Sequence, residues 1–353
     1  MGAAMTHSTW TIPNFSLTQW RAGDDPAAAA AALVEMCHGV GFFTITDHGV
    51  PASFVERYFG LLEAFFALPE DTKARIDKRN SPHFRGWERV GAELTNGRVD
   101  HREQLDLSTE NDVYPGDVEP EYLRLDGPNQ WLPDDVLPGF RDAVNQWLQY
   151  MGDLAWELME IMSVGLGLPQ QHLREVFGER PLSLTKLISY PRTPEGEAGV
   201  NAHKDAGFLT FVVQHGIGGL EALAPDDQWI AVDPPEGAFV VNVGEMLQAL
   251  TGNYFVAATH RVVATEPRFS AAYFHGPDLR TAIEPLPLPD RIRDAVAASP
   301  RHRGAGFMTK RDEILDGETA ISGQVAPVFG QMMWNYYVRS YPDVVEAHFP
   351  GTV

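Results

Sequence analysis

A chain of 353 residues with 44% apolar content can build one large domain or two ordinary ones, and lies well away from disordered composition. Against 27 Lys and Arg stand 48 Asp and Glu, and the net charge of −21 argues against nucleic acid or an anionic membrane as partner. With Cys37 alone no internal disulfide can form, which favours the cytoplasm, and no apolar run approaches the roughly 20 residues of a membrane-crossing helix.

The start M-G-A-A-M-T fits an N-myristoylation pattern formally and is read as a chance match; Ala- and Gly-rich usage points to a bacterial source. An opening strand is expected near Thr11–Ser16. Asp25-Pro26 then caps an alanine-rich helix running to about His38, since Asp accepts from free amides and Pro suits a first turn. Gly39-Val40-Gly41 stops it, Phe42–Thr46 reads as a buried strand, and His48 falls in a turn as a structural histidine. Ser53–Leu68 has the spacing of an amphipathic helix. The glycine-containing, charge-dense run from Phe84 onward reads as a loop and hairpin ending in a strand at Glu103–Ser108. Residues 111–138, rich in Pro, Asp and Gly, form an irregular connection. A long backing helix is expected over Pro138–Leu168, where Val144, Trp147, Met151, Leu154, Leu158 and Ile161 recur at i+3/i+4. A short helical turn follows at Leu173–Phe177. From residue 182 to 277 short strands alternate with Gly/Pro/Asn turns: Thr185–Tyr190, Leu209–Gln214, Trp229–Ala231, Phe239–Asn242, Ala257–Ala264 and Phe269–His275. Such spacing indicates an all-β sandwich or barrel. Residues 278–353 add Pro-rich turns and a helical tail containing W-N-Y-Y-V-R-S-Y-P-D.

Chemistry concentrates between Ser183 and Pro277. In N-A-H-K-D-A-G-F, His203 and Asp205 stand at i and i+2, which share a face on an extended segment, with Lys204 pointing away. With His260 from a distant strand they make two histidines and a carboxylate, a set that leaves coordination positions open and suits oxygen-activating Fe(II). In R-F-S, Arg268 and Ser270 share a strand face, so a guanidinium fork and a hydroxyl converge on one carboxylate-sized target. A short H-x-D match alone is weak; a triad followed by a carboxylate clamp is a joint pattern with few chance matches. His215, His275, His302 and His348 lack comparable partners and are read as structural or exposed.

On these residues the chain resembles the 2-oxoglutarate-dependent Fe(II) oxygenases of the isopenicillin-N-synthase-like group. The likeness extends to T-I-P-N-F-S-L, G-F-F-T-I-T-D-H-G-V, F-R-G-W, G-G-L-E-A and V-N-V-G-E-M-L-Q-A-L-T-G-N. It implies one oxygenase domain over 1–353, mainly β with helical additions. Within it would lie an N-terminal α/β region and active-site loop (1–110), a backing helix (138–168), a double-stranded β-helix or jelly-roll core carrying the metal (182–277) and a C-terminal extension (278–353). The implied cofactors are Fe(II) on His203, Asp205 and His260, and 2-oxoglutarate on Arg268 and Ser270, with Lys186 either a further contact to the anion or a surface lysine. The implied reaction consumes O2 and oxidises a substrate C–H bond by hydroxylation, desaturation or cyclisation, giving succinate and CO2. The pieces G-A-E-L-T-N-G-R, R-F-S-A-A-Y-F-H-G-P and V-R-S-Y-P-D are similar to the ethylene-forming enzyme. That similarity implies Glu93 and Thr95 as contacts to a cationic group and Arg339 as the partner of an amino-acid carboxylate. Ala206 departs from it, because a tyrosine follows H-x-D there. The expected substrate is a small amino-acid-like metabolite of bacterial secondary metabolism, such as antibiotic biosynthesis. The alternatives are an isopenicillin-N-synthase-like oxidase that uses no 2-oxoglutarate, or ethylene formation from 2-oxoglutarate itself.

Overall fold

The computed structural model describes residues 10–113, 118–215, 218–304 and 328–351; the M-G-A-A-M-T start and much of the expected C-terminal tail lie outside these. Among the described residues the strands are β1 (Asn14–Ser16), β2 (Phe42–Thr46), β3 (Gly86–Glu88), β4 (Leu94–Thr95), β5 (Arg98–Val99), β6 (Glu103–Ser108), β7 (Leu184–Tyr190), β8 (Val200–His203), β9 (Leu209–His215), β10 (Leu220–Leu223), β11 (Trp229–Ala231), β12 (Phe239–Val243), β13 (His260–Val262) and β14 (Arg268–His275). They form an eight-stranded sheet ordered β1-β2-β12-β9-β14-β7-β6-β3, a four-stranded sheet ordered β11-β10-β13-β8, and the separate hairpin β4-β5. Among the pairings of these described strands, β1–β2 is parallel and the others are antiparallel.

Two buried layers explain the residue pattern. Phe42, Ile188, Tyr190 and Val240 from the large sheet pack with Val200, Leu220, Ala222 and Val262 from the small one, filling the space between them. The opposite face of the large sheet packs on helices Ala52–Phe66 and Phe140–Gly165. This is a mainly β jelly-roll core with helical additions. Trp147 of the long helix is fully buried, stacks on Tyr58 at 5.0 Å between ring centroids and donates to Thr185 Oγ1 at 3.0 Å. Where that helix crosses Pro26–Gly39, Gly165 is required, because a Cβ there would meet Ala30 O at 2.4 Å. Asp25 caps the Pro26–Gly39 helix, accepting from Ala28 N at 3.0 Å, as its sequence implies.

F-R-G-W anchors the C-terminal helices Phe329–Ser340 and Pro342–His348. Phe84 contacts the rings of Trp334, Tyr337, Tyr341 and Phe349, while the buried Arg85 donates to the carbonyls of His83 and Leu125, both at 2.6 Å. Three departures matter for the site. The strand expected at Ala257–Ala264 is confined to His260–Val262. The strands β8 and β10 were not among the expected elements, whereas the hairpin expected in the run from Phe84 onward is β4-β5. The hairpin is closed by Asn96-Gly97, both at positive φ (51° and 73°), a type I′ turn. Among the described residues no helix is long and apolar enough to cross a membrane.

Candidate active site

β8 and β13 pair with His203 directly opposite His260, so sheet register sets the two imidazoles side by side, ring centroids 4.2 Å apart. Asp205 joins them differently from the expected shared strand face. β8 ends at His203, and Asp205 lies in the bend that follows, where its carbonyl accepts from Glu245 N at 2.8 Å. Gly244 makes that bend possible, since a Cβ there would sit 2.2 Å from Gly207 O. Asp205 Oδ1 lies 3.5 Å from His203 Nε2 and 3.6 Å from His260 Nε2, and the three ligand atoms lie within 4.8 Å of one another.

The surroundings orient all three. His203 Nδ1 donates to Asn201 O at 2.8 Å and His260 Nδ1 to Ala258 O at 3.2 Å, so each ring turns its Nε2 lone pair to the centre. Asp205 Oδ2 accepts from Thr210 Oγ1 at 2.5 Å and Asn242 Nδ2 at 2.7 Å, which leaves Oδ1 as the inward ligand atom. Burial would raise the Asp205 pKa, but His260, His203 and the Asn242 bond outweigh it and hold the carboxyl well below the usual range. Burial and the neighbouring His203 lower His260 to about 4. For His203 burial acts the same way, but contact with Asp205 outweighs it and the pKa is raised. The donor set and its geometry fit a divalent iron.

Arg268 is 2% exposed on β14, with Ser270 buried two residues on along the same strand face. Its Nη2 donates to Gln214 Oε1 at 2.8 Å and its guanidinium lies 5.0 Å from the Tyr190 ring centroid. Its Nε and Nη1 are buried with no hydrogen-bond partner among the described residues. A buried guanidinium with two idle donors requires an anion, and a carboxylate supplies the matching pair of acceptors.

A cavity of about 610 Å3 opens beside the metal ligands, lined by His203 and Asp205, by Thr95 to Gly97 of the hairpin, by Leu182, Leu184, Phe274, Phe329 and Met333, and by Tyr336 and Arg339. Thr95 and Arg339, expected as substrate contacts, lie on the cavity wall. Lys204 also lines it, contrary to the expectation that it points away, because the bend after β8 turns the chain inward. Lys186 and Glu93 do something else. The Lys186 ammonium pairs with Asp106 at 3.1 Å and both oxygens of Glu93 at 3.2 Å, and donates to Tyr341 Oη at 2.9 Å. Glu93 further accepts from Arg102, Tyr336 and Tyr341. Burial would lower Lys186, but Asp106 and Glu93 outweigh it and raise its pKa; for Glu93 burial is outweighed by Arg102, Lys186 and Lys78, and the pKa falls well below its ordinary value. Lys186 is itself part of the cavity lining, but its charge and that of Glu93, which is absent from the lining, are both engaged in a buried ionic cluster. Neither Lys186 as an anion contact nor Glu93 as a cation contact has a free charge to offer.

Sequence reasoning passed over Asn201, Thr210, Gln214 and Asn242, the groups that aim the site. A detectable signal existed for Asn242, a lone amide inside the apolar strand F-V-V-N-V.

Residues 12–134 match the profile of the non-haem dioxygenase in morphine synthesis N-terminal region, and residues 179–277 that of the 2OG-Fe(II) oxygenase superfamily. A 2-oxoglutarate-dependent dioxygenase, frbJ, of Dothideomycetidae sp. is 32% identical over 349 residues, spanning 95% of this chain and 91% of that one. The chain belongs to the 2OG-Fe(II) oxygenase superfamily. It is a 2-oxoglutarate-dependent non-haem iron dioxygenase, and its cofactors are Fe(II) and 2-oxoglutarate. A homoarginine-6-hydroxylase of rice is 29% identical, covering 74% of this oxygenase and 82% of the relative. Among solved structures, Neurospora crassa T7H with alpha-KG and thymine superposes with a TM-score of 0.70 at 25% identity, covering 81% of this chain and 92% of that one. JOX2 in complex with 2OG, Fe and JA gives 0.63 at 25% identity, covering 81% and 80%. The relatives named by sequence are fungal and plant, and lend no support to the bacterial source expected from composition.

Proposed function

We propose that this oxygenase, a single domain of the isopenicillin-N-synthase-like group, oxidises a C–H bond of a small amino-acid-like carboxylic acid. The observation that carries this is Arg339: an exposed guanidinium on the wall of the cavity that also holds His203 and Asp205, with no salt-bridge partner among the described residues. Its fork suits a substrate carboxylate, and the wall of Leu182, Leu184, Phe274, Phe329 and Met333 suits an apolar body. The homoarginine hydroxylases among the relatives support an amino-acid substrate. Thr95 supplies a hydroxyl on the same wall; Glu93 serves as a buried support for that wall, so a cationic side chain on the substrate is not required.

His203 and His260 through Nε2, and Asp205 through Oδ1, would hold the iron, and Arg268 with Ser270 the far carboxylate of 2-oxoglutarate, with Gln214 fixing the guanidinium. When bound, iron and 2-oxoglutarate supply the oxidising power, with succinate and CO2 as co-products. The chain orients the ligands, presents the substrate and keeps bulk water from the reacting bond through the apolar wall. Because 2-oxoglutarate is the cosubstrate, the oxidase alternative is not retained.

The test is anaerobic titration of Fe(II)-loaded protein with 2-oxoglutarate, following the visible iron–ketoacid band, and then with a panel of amino acids. Arg268→Ala should weaken 2-oxoglutarate roughly 10- to 100-fold, the loss expected for charge-assisted hydrogen bonds. An amino acid that shifts the band in wild type but not in Arg339→Ala supports the substrate reading. If no amino acid shifts the band, that reading is wrong.

A further inference from the structure

β8, which carries His203, is the last strand of the four-stranded sheet; it pairs with β13 alone, and the register shifts between His260 and Val262. A short edge strand with one irregular neighbour is a poor platform for a metal ligand, because half its backbone groups lack sheet partners. The outer edge of β8 is held by side chains of the hairpin segment. Asn96 Nδ2 donates to Ala202 O at 2.9 Å. Asp100 Oδ1 accepts from Asn201 N at 3.1 Å and from Asn201 Nδ2 at 2.9 Å, and that amide also reaches Val99 O at 3.0 Å. Asn201 is the residue whose carbonyl orients His203. The other oxygen of Asp100 accepts from Thr95 Oγ1 at 2.6 Å and pairs with Arg102 at 3.1 Å, and both of these residues line the cavity.

All four acceptor positions of this fully buried carboxylate are thus in use, two toward the cavity wall and two toward the metal-bearing strand. We propose that Asp100 is a positioning residue that joins the substrate-facing hairpin to the His203 strand and so fixes His203 through Asn201. It touches no reacting atom. An asparagine at 100 keeps one carbonyl oxygen but turns an NH2 toward donors, so the isosteric change is a partial loss. The coupling to substrate rests on the cavity being the substrate site; the fixing of His203 does not.

Hydrogen exchange of the metal-free full chain reads the fixing of β8 directly, in wild type, Asp100→Ala, Asp100→Asn and Asn96→Gly. Asn96 sits at φ 51°, so glycine keeps the turn and deletes only the side-chain bond. Amides of residues 200–203 should exchange roughly tenfold faster in Asp100→Ala, and by a smaller factor in the other two, while β7, β9 and β14 stay unchanged. Anaerobic titration should show Fe(II) bound about 10-fold more weakly by Asp100→Ala, in line with the loss of an outer partner of a metal ligand. Binding of 2-oxoglutarate to the iron-loaded variant should stay within about twofold of wild type, since Arg268 lies on the other sheet. If Asp100→Ala does not fold, Asp100→Asn and Asn96→Gly make the same comparison. Unchanged exchange at 200–203 together with iron affinity within about twofold in every folded variant overturns the proposal. Failure of every amino acid to shift the iron–ketoacid band counts against the substrate reading alone and leaves the exchange result to decide this one.

Discussion

At the scale of single residues, the site works by consuming every competing hydrogen-bond partner, so that one atom of each ligand is left facing inward. Asp205 is the clearest case: Thr210 and Asn242 take Oδ2, and Oδ1 remains. His203 shows the electrostatic cost. Its pKa is raised because the Asp205 contact outweighs burial, so the metal-free ring keeps its proton to higher pH than an ordinary imidazole, and iron must displace that proton. Apparent Fe(II) affinity should therefore fall as the pH drops through the raised His203 pKa, approaching about tenfold per unit below it, with anaerobic titration as the measure. His260, lowered to about 4, does not compete in this range, so an affinity flat with pH would contradict the assignment. Lys186 gives the opposite lesson. As a charged residue on a strand beside the cosubstrate anchor it reads as an anion contact, yet the fold spends it on Glu93 and Asp106. Lys186→Met should leave 2-oxoglutarate binding unchanged. Glu93 would keep Arg102 and Asp106 would keep Lys78, so each buried carboxylate loses one of its two cations, and stability in denaturant unfolding should fall by less than the about 3–5 kcal/mol of a wholly unpaired buried charge.

Among elements, the turns decide where the chemistry sits. The bend from β8 to β9 and the one from β12 to the Glu245–Leu250 helix touch, Gly244 N donating to Phe208 O at 2.8 Å and Glu245 N to Asp205 O at 2.8 Å. Gly244→Ala forces a Cβ against Gly207 O. Unfolding should register a loss of about 1–3 kcal/mol, as for other overpacked sites, and iron affinity should fall with it because Asp205 rides on the displaced bend. A variant with wild-type iron affinity would show that the two bends move independently. The helices are simpler. The Phe140–Gly165 helix and the strand Phe42–Thr46 emerged close to their expected bounds, because a long apolar stripe or a short apolar run between glycines declares itself locally. The hairpin β4-β5, expected from the charge and glycine content of its run, has its turn fixed locally by Asn96-Gly97 between Thr95 and Arg98. β8 and β10, each four residues long, had none that separates them from loop; their pairing with β13 makes them strands.

Across the whole molecule, the two sheets divide the labour: the small one carries His203 and His260, the large one Arg268 and Ser270, and the apolar residues between them set their separation. The C-terminal helix then closes the cavity with Tyr336 and Arg339, far along the chain from the ligands it faces. Sequence alone determined the class of chemistry. His203, Asp205, His260, Arg268 and Ser270 could be named because residue type constrains what they can bind and strand period puts Arg268 and Ser270 on one face, although the period argument did not hold for Asp205. It determined the helices and most of the large sheet for the same local reason. Tertiary structure alone decided which charges remain available. Lys186 is neutralised by Glu93 and Asp106, distant in the chain, whereas Arg339 keeps an open guanidinium on the cavity wall. It also decided that Asp205 would arrive from a bend and that Asp100 would meet Asn201. A side chain's period is written in its neighbours, but its ion-pair partner is chosen by the packing of strands that the chain brings together only on folding.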